Sequence, residues 1–142
     1  MASNVPAIEP SVAAGFTRLT AIAILTFAAI YGMVTIIGGA GRWSTPAYDV
    51  AMQVPGAPQS WGVVLLGSAL MGLLGFAVRL LPIIWIGFAG CTVWSGCFAW
   101  CVGVVAARNP QVGWGGVIIW LFLAALFAAC TAAGAGRFHA PA

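Results

Sequence analysis

Charge is what this sequence has least of. Charged residues make up 5% of its 142 positions, with no lysine and only two carboxylates, Glu9 and Asp49. The net charge of +3 comes from five arginines, Arg18, Arg42, Arg79, Arg108 and Arg137, spread singly along the chain. A nucleic-acid surface needs a clustered basic stripe, and a polybasic lipid-binding patch needs about four to eight neighbouring cations. Both are excluded, so no nucleic-acid partner is expected. Histidine occurs once, at His139 near the C-terminus, too isolated to act as a ligand or base. Ser44, Thr45, Tyr48 and Asp49 lie close together but have no general base beside them, so nucleophilic catalysis has no constellation and the chain is not expected to be an enzyme. Cys91, Cys97, Cys101 and Cys130 sit inside apolar runs, where cysteine behaves as a small hydrophobe. Cys97 and Cys101 are one helical turn apart, but without a nearby His or carboxylate they make a poor chelator. No metal, cofactor or disulfide framework is expected.

What is abundant is apolar sequence, 63% of the chain. That proportion, with so little charge, lies outside the range of soluble globular domains and marks an integral membrane protein. From Trp61 to Ala107 the only charge is Arg79. A single helix over that stretch would be roughly 70 Å long, more than twice the hydrocarbon thickness of a bilayer. It must turn round once, and Arg79 to Pro82 is where it can, because arginine snorkels to headgroups and proline suits the first turn of a new helix. Four crossings follow: 19–37, 61–78, 82–106 and 113–133. Residues 1–16 read as a poorly ordered tail. Arg18 before an apolar run followed by Gly38, Gly39 and Ala40 also fits a signal peptide, but the run is too long and its leader too polar, so a retained helix is expected.

Residues 38–60 form the one sizeable polar-facing connection. Ser44 or Thr45 can cap a helix, Pro46 suits its first position, and Ala47, Val50, Ala51 and Val54 share one face, which predicts a short interfacial helix. Trp43 and Trp61 bracket it as expected anchors at the headgroup boundary, with Arg79 and Arg108 as the anchors at the other turns. Pro55 to Pro58 redirect the chain into the second crossing.

Small residues line the later crossings: Ser68, Gly72 and Gly75 in the second, Gly87 and Gly90 in the third, and Ala125, Ala129 and Ala133 in the fourth. Such faces let helices approach closely, within one chain or between copies. The threonines, serines and tyrosine left in the crossings are expected to bond backbone carbonyls or bridge helices. The expected fold is all-α, one polytopic membrane domain of four transmembrane helices in an up-down antiparallel bundle. Both termini then share a side, and with that side cytoplasmic the arginines divide three inside to two outside, favouring N-in and C-in. No ionisable residue lies in the middle of any crossing, which argues against proton-coupled transporters and pumps, including the four-helix multidrug transporters with their embedded carboxylate.

The pattern R-W-S-T-P-A-Y from Arg42 to Tyr48, followed by V-P-G-A-P-Q-S-W-G from Val54 to Gly62, resembles small four-helix membrane proteins of phages that infect actinobacteria. That resemblance covers the first loop and the start of the second crossing, and it implies a holin or holin-accessory role in the bacterial inner membrane. No catalytic residue comes with it. Two functions are therefore expected: a holin-like protein that self-associates to permeabilise the bilayer, or a non-enzymatic membrane subunit or host-interaction factor that binds a membrane-protein partner through residues 42–60.

Overall fold

The structure, a computed structural model, describes residues 10–135, and the side chains of 15–132. Four helices account for most of it: α1 (Pro10–Arg42), α2 (Gln59–Val78), α3 (Leu81–Arg108) and α4 (Gly115–Ala135). Each is long and apolar enough to cross a membrane. Large apolar side chains lie exposed along all four, among them Ile30, Leu70, Val93 and Phe122. A soluble protein would bury such residues; here they form the surface that lipid would cover.

The first helix differs from its sequence reading at both ends. It begins at Pro10, so the second half of the expected tail is helical, and residues 1–9 lie outside the described residues. At its other end it continues past Ile37 to Arg42 with a break at Gly39, whose φ of 55° and ψ of −160° few residues but glycine adopt. The other spans agree with the expected boundaries to within two residues.

Between α1 and α2 the predicted interfacial helix is replaced by two separate 3-10 turns, Pro46–Tyr48 and Ala51–Gln53. Thr45 precedes the first with extended backbone, but no side chain caps it. Ala51 belongs to the core, fully buried. The amphipathic spacing of 47–54 thus serves a loop folded onto the helices rather than one continuous helix.

The turn between α2 and α3 sits where the sequence places it. Arg79 takes the left-handed conformation (φ 57°, ψ 33°) and ends α2, the Leu80 N–H donates to the Gly75 carbonyl (3.0 Å), and Pro82 lies in the first turn of α3. Asn109 closes α3, and its side-chain oxygen accepts from the Gln111 N–H (3.0 Å) to tighten the turn into α4.

Consecutive helices pack on one another, α1 on α2, α2 on α3 and α3 on α4. The contacts run in reverse register: Leu25 lies by Gly72 and Gly32 by Gly62, while on the next pair Gly72 lies by Gly87 and Gly75 by Ile84. Phe88 meets Phe127, and Phe98 meets Trp120. Each helix is therefore antiparallel to the next, and the start of α1 and the end of α4 lie at the Arg79 end. Because lipid is as apolar as a leucine side chain, these contacts are held by close packing rather than by exclusion of water. Five of the threonine and serine hydroxyls behave as expected, Thr26, Thr35, Ser68, Thr92 and Thr131 each donating to the carbonyl four residues earlier at 2.8–3.0 Å, whereas the buried Ser95 hydroxyl has no partner among the described residues.

Candidate functional site

The residues singled out for helix packing separate into two groups. Ser68, Gly72 and Gly75 of α2 meet Gly87, Gly90 and Ile84 of α3 within the chain. A Cβ on Gly87 would collide with the Cα and N of Gly72, and one on Gly90 would collide with the Ser68 hydroxyl. Gly75 is equally closed, with the Ile84 backbone N 2.6 Å from where its Cβ would stand. Ala125 and Ala129 lie on the exposed side of α4, which meets the rest of the chain through Val117, Trp120 and Phe127. The side chain of Ala133 falls outside the described residues. A second close crossing, between Gly32 and Gly62, is absent from the sequence reading: a Cβ on Gly62 would lie 2.7 Å from the Gly32 carbonyl oxygen. Gly62 stands seven residues before Ala69 and Gly32 four after Ala28, so small-residue spacing could have exposed both.

At the loop end, aromatic rings take over from glycine. Phe98 and Trp94, one turn apart on α3, are stacked at 5.0 Å with their planes 10° apart. Phe98 also touches Trp43, Tyr48, Trp61 and Trp120 at 5.1–5.8 Å. Trp94 adds Tyr31, Trp61 and Trp120. Every helix and the first loop thus place at least one ring in a single cluster, most pairs meeting edge to face, as ring quadrupoles prefer. Two of its indoles are hydrogen-bonded: Trp61 Nε1–H donates to the Ala51 carbonyl (2.8 Å) and Trp94 Nε1–H to the Trp61 carbonyl (2.7 Å). Arg42, at the end of α1, lies 5.8 Å over the Tyr31 ring.

Trp43 does not stand as an outward anchor. Its ring is 2% exposed and lies between Tyr48 and Phe98. Trp61 is half-buried and points the same way. Arg79 and Arg108 do lie exposed, at opposite ends of α3. The sequence signal for the cluster was the i, i+4 pair Trp94 and Phe98, which share a helix face; Trp100, two residues on, is 74% exposed.

Two consequences follow for what the loop can do. Tied by Trp43 packing and by the Trp61–Ala51 hydrogen bond, it presents Thr45, Asp49 and Gln53 outward from a fixed base. Beside it, α2 and α3 leave a groove of about 620 Å³, lined by Val54, Trp61, Val64, Val93, Trp94 and Cys97 among others, almost wholly apolar. Ser60 also borders it, and its buried hydroxyl has no hydrogen-bond partner among the described residues, like that of the fully buried Ser95 on α3.

The thiols of Cys91, Cys97, Cys101 and Cys130 are all free, and among the described residues no three His, Cys, Asp or Glu side chains converge. Arg137 and His139 lie outside the described residues. Comparison with protein-family models, with curated proteins and with solved structures finds no match for this chain.

Proposed function

We propose that this chain is a non-enzymatic integral membrane subunit that crosses the bacterial inner membrane as an up-down four-helix bundle, N-in and C-in, and receives a membrane-protein partner on residues 42–60. The observation that carries this reading is the pinned loop. A loop held to the core by the Trp61–Ala51 hydrogen bond and the buried Trp43 ring meets a partner with little ordering left to do, which favours specific binding. The apolar groove beside it extends the same surface into the depth of the membrane. Arg79 and Arg108, exposed at the turns, would hold the helices at their depth.

A second reading, holin-like self-association, is supported by one feature, the outward Ala125 and Ala129 of α4, which would admit close approach by another copy. The small residues better suited to that task, Ser68, Gly72, Gly75, Gly87 and Gly90, are engaged inside the chain.

A photocrosslinking side chain at Gln53, in native membranes, separates the readings, with the same group at Leu121 as the lipid-facing control. The expected result is one discrete adduct with a foreign membrane protein from position 53 and none from 121. Adducts with further copies of the chain only, together with collapse of membrane potential on induction, would overturn the proposal and put the holin-like reading first.

A further inference from the structure

Between the first loop and the turn that joins α3 to α4 lies a second cavity, of about 340 Å³ and open on one side. Its character is different. Tyr48 and Trp120 line it with aromatic surface, and Thr45, Asn109 and Gln111 line it with neutral hydrogen-bonding groups, while Gly113 leaves its edge open. No arginine or carboxylate is among its lining residues.

The walls are fixed before anything binds. Trp120 is held by Tyr31, Trp94 and Phe98 at 5.0–5.2 Å, and Tyr48 is stacked on Trp43 at 5.1 Å. The loop wall is closed by the Tyr48 N–H donating to the Thr45 carbonyl (3.1 Å) and the turn wall by the Val112 N–H donating to the Asn109 carbonyl (2.9 Å). Asn109 spends its side-chain oxygen on the Gln111 N–H, which leaves its NH₂ group as a donor. The Thr45 hydroxyl and the Gln111 side-chain amide make no hydrogen bond to the described chain, so donors and acceptors of both kinds remain for a ligand.

A concave site of this size with aromatic walls and a few polar groups fits a small ligand. With no charged residue in its lining it offers phosphate, carboxylate or ammonium groups no counter-charge, which favours a neutral ligand. A ligand with many hydroxyls and apolar C–H faces answers both halves of the lining: the hydroxyls meet Thr45, Asn109 and Gln111, and the C–H faces lie on Tyr48 and Trp120. We infer that this cavity is a binding site for an uncharged sugar ring. It lies at the ends of the spans, between the connections that follow Arg42 and Arg108, so the ring could be a free saccharide or the headgroup of a glycolipid in the adjoining leaflet. The inference stands apart from the partner proposed for the loop.

The full chain in phosphatidylcholine nanodiscs tests it. Methyl β-glucoside is offered free and read by saturation-transfer NMR, and in a second arm monoglucosyl diacylglycerol is doped into the disc and its retention read by native mass spectrometry. Gly113→Phe should weaken or abolish binding by placing a ring at the cavity's edge, which the backbone admits without strain because nothing lies within 4 Å of a Cβ there and its φ is ordinary. Gln111→Ala, at an exposed turn position, should weaken binding roughly tenfold by removing one good hydrogen bond to ligand. Transfer to the free glycoside assigns a saccharide site; retention of the glycolipid with a silent free glycoside assigns a headgroup site. Absence of both in the wild-type chain overturns the inference, as does binding that Gln111→Ala leaves at the wild-type level, whether or not Gly113→Phe folds.

Discussion

The two ends of the α2–α3 pair are built from opposite materials. Towards Arg79, Gly87 lies so close to the backbone of Gly72 that it could carry no side chain, and Gly75 and Gly90 extend the contact. Towards the loop, Trp61 and Trp94 stand between the same two helices with their rings 5.8 Å apart and nearly perpendicular. Glycine thus packs one end of the pair and indole the other, and the apolar groove beside them is lined from Gly90 to the two indoles. In lipid, where no water is expelled when helices meet, the shape of the contact decides its strength. The glycine end gains many short contacts; the aromatic end gains fewer but broader ones and recruits the loop and α4.

The sharpest way to break this contrast is Gly87→Leu. Its side chain has no space against Gly72, and only displacement of a backbone can admit it, so the folded state should lose about 3 kcal/mol, measured by reversible unfolding in mixed micelles. Phe98→Ala attacks the other end. It removes the ring that touches five others, and a cost of about 2–3 kcal/mol is expected, below the usual value for a water-soluble core because the freed surface is not transferred to water. The two losses should also differ in kind: Phe98→Ala should speed proteolysis within 43–54, whereas Gly87→Leu at matched stability should not. Trp94→Phe is gentler, keeping most of the stacking on Phe98 while deleting the hydrogen bond to the Trp61 carbonyl, for about 1 kcal/mol in the same assay. Ala129→Leu should change stability least, by less than about 0.5 kcal/mol, because the position is exposed on α4. If instead it dissociates an oligomer on native gels, the holin-like reading gains.

The sequence made some of this plain and hid the rest for a physical reason. The four spans and the turn at Arg79 follow from length and from one isolated charge, which lipid tolerates only near its edge. The meeting of Ser68, Gly72 and Gly75 with Gly87 and Gly90 was legible as to its residues, although not as to whether it joined two helices or two copies. Which way an apolar side chain points was not legible. In a soluble helix the polar face marks the outside, but α2, α3 and α4 are apolar all round, so periodicity cannot distinguish Ala129, turned out, from Ala69, fully buried. For the same reason Trp43 reads as an anchor at the membrane edge until its ring is found packed beneath Tyr48. In the loop, the spacing of Ala47, Val50, Ala51 and Val54 picked out Ala51, which is in the core, but Val54 is exposed and the backbone forms two 3-10 turns rather than one α-helix, so the four do not share a buried face.

Arg79 and Leu80 are the entire link between the second and third spans. So little chain cannot reach round a helix that is already embedded or wait on one face while its neighbour goes in. During synthesis the pair is therefore committed to enter the bilayer together, and lengthening that link should let the cell's insertion machinery treat as two decisions what it now makes as one.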